Sequence, residues 1–324
     1  MDVVEVLVRE LFEAAIRQHV SDIYIGRHGD MVWIQLRQVN TVSLWREISP
    51  TIGEQVLTYL KFQANMAVSE RRRPQVGALD WQMGSQTVEC RLSAVGDYAG
   101  SETLVIRLIF DRTTTVSHYL RPEQSAELKR LVQRRGLFLF AGPTGSGKTT
   151  TMYRLARQLN VAAVVLSIED PVEIREDLFT QLQVNPAAGM TYSALIKVAL
   201  RQRPDVLILG EIRDAETASA AINAALSGHL VLSTVHARSA GGTIARLLAL
   251  GVTGEQLQQV LTAACYQRLI PMVNDEIGVL MDILSEQQLF AGTTVMTEGW
   301  RQALGRAEKV GQISAETTKK FWHG

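Results

Sequence analysis

Apolar and polar positions alternate along this chain in two different rhythms. The opening stretch, "MDVVEVLVRELFEAAIRQHV", repeats apolar residues at Val4, Leu7, Val8, Leu11, Phe12 and Ala15. That spacing predicts an amphipathic helix, and the acids Asp2, Glu5, Glu10 and Glu13 interrupt what would otherwise resemble a signal peptide's apolar block. "SDIYIG" and "MVWIQLR" then predict short strands. "TIGEQVLTYLKFQANM" predicts a second helix with Ile52, Val56, Leu57 and Leu60 on one face. After the loop "SERRRPQVG", two alternating runs, "QTVECRLSAV" and "ETLVIRLIF", flank the Gly-containing "GDYAGS" and predict a hairpin. Residues 1–112 are thus expected to form a small α+β domain.

Residues 113–121 are expected to be a linker, and from Pro122 the rhythm changes. "PEQSAELKRLVQRRG" predicts a helix, with acid near its start, base near its end and Gly136 just after it. Helical stretches then alternate with the continuous apolar runs "LFLFA", "AAVVLSI", "DVLILG" and "HLVLSTV". Uninterrupted apolar runs are the mark of a parallel sheet covered on both faces, so residues 122–324 are expected to be an α/β domain. From Val252 onward the pattern predicts mostly helix, with one strand-like piece, "IGVLMDIL".

A chain of 324 residues exceeds what one core usually needs, in keeping with two domains. Lys+Arg and Asp+Glu both number 33, and this zero formal charge argues against a protein built to coat nucleic acid. The two cysteines, Cys90 and Cys265, are expected to be buried thiols in a reducing compartment. With no Cys-x-x-Cys pair, no structural zinc is expected. No run approaches the roughly 20 residues of a membrane span, so a cytoplasmic protein is expected, touching a membrane through a partner.

"GPTGSGKT", from Gly142 to Thr149, leaves one apolar run and enters a helix, the context in which G-x-x-x-x-G-K-[ST] binds nucleotide phosphates. Gly142, Pro143, Thr144, Gly145, Ser146 and Gly147 would form the phosphate cradle, with Thr150 beginning the helix behind it. Lys148 would reach the β- and γ-phosphates, and Thr149 would ligate Mg²⁺. "DVLILGEIRD" puts Glu211 at the same sheet edge, placed to hold Mg²⁺ through water, while Asp214 reads better as a helix cap. "GHLVLSTVH" places His229 and His236 at opposite ends of one strand. His236 falls at the phosphate edge, where it could sense the γ-phosphate or the attacking water; His229 is more easily structural. "LSIEDPVE" brings Glu169, Asp170 and Glu173 to that edge too.

Together "GPTGSGKTTT", "SIEDPVE", "LRQRPDVLILGEIRDAET" and "SGHLVLSTVHARSA" resemble the four nucleotide boxes of the secretion-superfamily ATPases. That family drives type II secretion, type IV pilus assembly and retraction, and competence pili. The first third, with "SDIYI", "ERRRPQVG" and "CRLSAV…GSETLVIRLI", is similar to the family's PAS-like domain. The resemblance implies a RecA-like P-loop ATPase domain with a parallel central sheet, using ATP and Mg²⁺. It further implies a homohexamer acting on an inner-membrane platform protein. It makes Glu173 the general base, with Glu211 as the alternative. Neither the tetracysteine zinc insertion nor an "AIRNLIRE"-like motif is found in this sequence, and no extra N-terminal domain is expected. It is therefore most similar to the competence pilus ATPases of Gram-positive bacteria; a type II secretion or retraction motor is the alternative, and a helicase-type motor a more distant one.

Spacing in the predicted hairpin sets Arg91 and Arg107 across from one another on one face. Like charges opposed across a ladder are unfavourable unless an anion lies between them, and phosphate suits arginine forks. In the resembling family, arginines of this domain reach bound ATP. The two are expected to be arginine fingers, the alternative being surface arginines paired to Glu89 and Glu102. The run Arg71, Arg72, Arg73 is either a solvated face or a subunit contact.

Overall fold

The computed structural model describes residues 3–38, 41–84, 86–110, 118–159, 163–274, 276–292 and 294–324. It divides into two compact units, Met1–Asp111 and Arg112–Gly324. Residues 113–117 of the expected linker lie outside the described residues; its His118 and Tyr119 belong to a sheet, as shown below.

In the first unit, helix α1 (Val3–Arg17) is followed by strands β1 (Asp22–His28), β2 (Met31–Gln38) and β3 (Thr41–Ile48). Helix α2 (Pro50–Gln63) precedes β4 (Gln75–Met83), β5 (Gln86–Gly96) and β6 (Glu102–Ile109). The strands make one antiparallel sheet in the order β3-β2-β1-β6-β5-β4. Strands β3 and β4 were not foreseen. Each is an edge strand with many exposed positions, so neither carries the buried apolar stripe that marks β1 or β6.

The expected α1 face is the buried one, with Val4, Leu7, Val8, Leu11, Phe12 and Ala15 in the core. Burial of such side chains stabilises by about 1.5–3 kcal/mol each. Phe12 stacks on Trp81 of β4 with ring centroids 4.1 Å apart. Lys61 of α2 is wholly buried, its ammonium 2.6 Å from Glu102 and donating at 2.6 Å to the Glu70 carbonyl.

The second unit runs β7 (His118–Tyr119), α3 (Glu123–Leu131), β8 (Gly136–Ala141), α4 (Lys148–Leu159), β9 (Val165–Glu169), β10 (Thr180–Gln183) and α5 (Tyr192–Arg201). It continues with β11 (Val206–Leu209), α6 (Ala215–Leu226), β12 (Leu230–Thr234), α7 (Gly242–Ala249) and α8 (Gly254–Val260). Strands β13 (Leu261–Pro271) and β14 (Ile277–Ser285) and helices α9 (Glu298–Lys309) and α10 (Ala315–Phe321) complete it.

Its sheet order is β10-β9-β11-β12-β8-β13-β14-β7. Strands β10 to β13 in that order are parallel, and β14 runs antiparallel to β13. The parallel core expected from the four apolar runs is present. Beyond it, "LTAACYQRLIP" is a strand, not the helix expected from its spacing. Helix α8 is short, and Leu257, Val260, Leu261 and Ala264 prolong its apolar period into a segment buried on both faces. Asp214 caps α6 as expected, its side chain accepting from the Thr217 amide at 2.8 Å. Cys90 and Cys265 are buried free thiols, and burial pushes the Cys90 thiol up to about 12.

Candidate nucleotide site

The P-loop leaves the carboxyl end of β8 in the middle of the sheet, between β12 and β13. Gly142, Gly145 and Gly147 have φ of 138°, 77° and 82°, conformations that side-chain-bearing residues rarely adopt. Space forbids a side chain at two of them as well. A Cβ on Gly142 would run into the Gln267 carbonyl and lie 2.8 Å from Ser146 Oγ; one on Gly147 would lie 2.9 Å from Gln267 Nε2. Gln267, from β13, also donates to the Ser146 carbonyl at 2.7 Å. The strand missed in the sequence therefore moulds the loop.

Lys148 begins α4 and donates to the Gly142 and Pro143 carbonyls, both at 2.9 Å. Burial lowers its pKa, and the charges of Glu173 and Glu211 oppose that shift, so both acids act electrostatically on this ammonium. Thr149 and Thr150 follow in the first turn of α4, half-buried.

Neighbouring strand ends are tied together. Val235 N donates to Phe140 O at 2.9 Å, and Thr234 Oγ1 to Gly210 O at 2.7 Å. Glu211 follows β11, and Arg213 Nε donates to its Oε2 at 2.6 Å. His236 Nε2 stands 2.8 Å from Glu211 Oε1, a close contact without hydrogen-bond geometry. Oε1 is thus a buried acceptor with no hydrogen bond, as is Ser146 Oγ among the loop residues. Unsatisfied oxygens beside a positive-φ glycine cradle and an ammonium resting on carbonyls fit a phosphate and its cation.

The three acids of "IEDPVE" separate. Glu169 is buried. Ser167 Oγ donates to its Oε1 at 2.7 Å, and the Tyr153 hydroxyl donates there too. Burial raises the Glu169 pKa against these bonds. Asp170 and Glu173 are exposed, and the charge of Glu173 reaches Lys148. The Glu169 partner Tyr153, and Gln181, which donates to the Tyr153 hydroxyl at 2.7 Å, were not foreseen, because their spacing in sequence carries no signal.

Two groups of expected site residues lie elsewhere. His229 precedes β12, at the amino end of the sheet, with Nδ1 3.0 Å from the Ala224 carbonyl; the structure does not bring it to the phosphate edge. Arg91 and Arg107 are in the first unit, and β5 and β6 do pair them directly across the ladder. Their acid partners differ in part from those expected. Arg91 Nε is 3.2 Å from Glu89 Oε1, whereas Arg107 Nε is 2.9 Å from Asp22 Oδ1; Glu102 is taken by Lys61. Arg71 pairs with Glu54 at 3.4 Å, and Glu70 accepts from the Arg72 and Arg73 amides.

Residues 1–309 match the family model described as "Type II/IV secretion system protein". The chain is 44% identical over 267 residues to the competence protein ComGA of Streptococcus pneumoniae, covering 82% of this chain and 85% of that one. It is 38% identical over 278 residues to ComGA of Bacillus subtilis, covering 84% and 78%. The fold matches the Legionella pneumophila ATPase DotB with a TM-score of 0.75 at 20% identity, over 97% of this chain and 95% of that one. The chain belongs to the type II/IV secretion system protein family and is one of its ATPases.

Proposed function

We propose that this protein is the ATP-hydrolysing motor that powers assembly of a competence pilus. The observation that carries the reading is its 44% identity to a competence protein over most of both chains, together with a P-loop shaped by three positive-φ glycines. Type II secretion and retraction motors are the second reading within the family.

In this reading the loop's N–H-bearing residues from Thr144 to Gly147 present their amides to the phosphates, and Lys148 exchanges the Gly142 and Pro143 carbonyls for phosphate oxygens. Thr149 and Glu211 would hold Mg²⁺, which supplies charge neutralisation of the phosphates. Glu173 takes the proton of the attacking water. His236, through its contact with Glu211, responds to the γ-phosphate. Arg91 and Arg107 act as arginine fingers on nucleotide in a homohexamer. The motor works at the inner face of the cell membrane through a platform protein. Among the described residues no helix is long and apolar enough to cross a membrane.

Deleting the gene and scoring surface pili and DNA uptake tests the reading: both are expected to be lost. Normal uptake with lost protein secretion would favour the second reading. ATPase assays on the purified chain are expected to show turnover that DNA does not stimulate.

A further inference from the structure

Helix α4 carries more than Lys148. About one and a half and two and a half turns further along, Tyr153 and Arg157 point at the end of β9 and at the acidic loop that follows it. Tyr153 is fully buried; its hydroxyl donates to Glu169 Oε1 and accepts from Gln181 Nε2 at 2.7 Å. Glu169 also accepts from Ser167 Oγ at 2.7 Å. Arg157 Nε pairs with Oε2 of Glu176, a buried carboxylate whose Oε1 accepts from the Leu178 amide at 3.3 Å. Gln181 ties the two ends together, donating to the Ile174 carbonyl at 2.8 Å and accepting from the Glu176 amide at 2.8 Å.

Glu173 sits between these anchors, four residues after Glu169 and three before Glu176, with its own side chain exposed. An exposed carboxylate on a free loop would sample many positions. This one is on a loop gripped at both ends by the helix that begins with the phosphate-binding lysine. Apolar residues could fill the same space without burying two carboxylates and a phenol, groups that are costly to desolvate.

We propose that Tyr153 and Arg157 are positioning residues that hold Glu173 in register with Lys148 by clamping both ends of the loop that carries it. The proposal rests on the reading of Glu173 as the group that takes the proton from water. The electrostatic effect of Glu173 on Lys148 is consistent with the two being held near one another.

The test uses the full chain with Tyr153→Phe, Arg157→Ala, Arg157→Lys and Glu173→Gln. Tyr153→Phe keeps the ring, which packs 5.2 Å from that of Phe179, and removes only the hydroxyl. Misplacing a reacting group by about 1 Å costs about 10²-fold. Tyr153→Phe and Arg157→Ala are therefore expected to lower kcat about 10- to 100-fold. KM for ATP and affinity for a fluorescent ATP analogue are expected to stay within about twofold. Arg157→Lys keeps the charge facing Glu176 and is expected to recover most of the loss. Unchanged kcat in Tyr153→Phe and Arg157→Ala, or kcat falling in step with nucleotide affinity, would overturn the clamp. If Tyr153→Phe does not fold, the Arg157 pair decides alone, since that side chain is partly exposed. Glu173→Gln separates the two levels. Parent-like turnover in that variant sinks the reading of Glu173 itself. Lost turnover there beside parent-like Tyr153→Phe and Arg157→Ala sinks only the clamp.

Discussion

The two sheets of this protein are covered differently, and that difference decides where chemistry can lie on each. Strands β8, β9, β11 and β12 are buried at every position, with helix-borne side chains filling both sides. Such a sheet has no free face, so polar groups collect beyond the strands' carboxyl ends, where Lys148, Glu173 and Glu211 stand. In the first unit β2 alternates buried and accessible positions, and the core residues of α1 and α2 share one side of the sheet. The other side carries a row across adjacent strands: Asp22, Arg107, Arg91 and Ala78. One sheet gathers its charged groups at an edge; the other displays them across a surface.

The largest expected effect tests the edge. Glu173→Gln should lower turnover by up to about 10⁴-fold while leaving nucleotide affinity intact, as measured by steady-state hydrolysis and analogue binding. If turnover survives, Glu211 becomes the acid to replace next. The displayed surface is tested by Arg91→Ala and Arg107→Ala, each expected to cost up to about 10³-fold in turnover with far less effect on binding. Equal loss of both quantities would return these arginines to the role of surface ion pairs.

Stability sharpens the comparison further. Lys61→Ala strands Glu102 without its buried partner and should destabilise the first unit by about 3–5 kcal/mol in chemical denaturation. A loss below 1 kcal/mol, within the range of a surface pair, would show that water reaches Glu102. The smallest effect belongs to the open face. Val76 is 83% exposed, and Val76→Thr should shift stability by no more than about 0.5 kcal/mol. A loss near that of a core truncation, about 2–5 kcal/mol, would mean this face is covered in solution.

Legibility in the sequence follows the same division. The four fully buried strands announced themselves as continuous apolar runs, and the P-loop lay at the end of one of them. The hairpin register that opposes Arg91 and Arg107 was also readable, because alternation in β5 and β6 is strict. Strand β13 was not, because its small and apolar residues continue the period of the short helix α8. Edge strands β3 and β4 have little burial to advertise. Within the site, Glu173 and Glu211 were visible by motif, while Gln267, Tyr153 and Gln181 were not. Their roles come from side chains meeting across sequence separations of 121 residues for Gln267 and Ser146, and 28 for Gln181 and Tyr153. No local pattern encodes such meetings.

Gln267 also bears on how the protein is made. Its carbonyl and amide line the inside of the phosphate loop, yet it is synthesised long after the loop itself. A nascent chain that has displayed "GPTGSGKT" still lacks the wall against which that segment is moulded. Competence to grip nucleotide should therefore arrive abruptly when β13 clears the ribosome, and fragments ending before it should carry the signature without the grip.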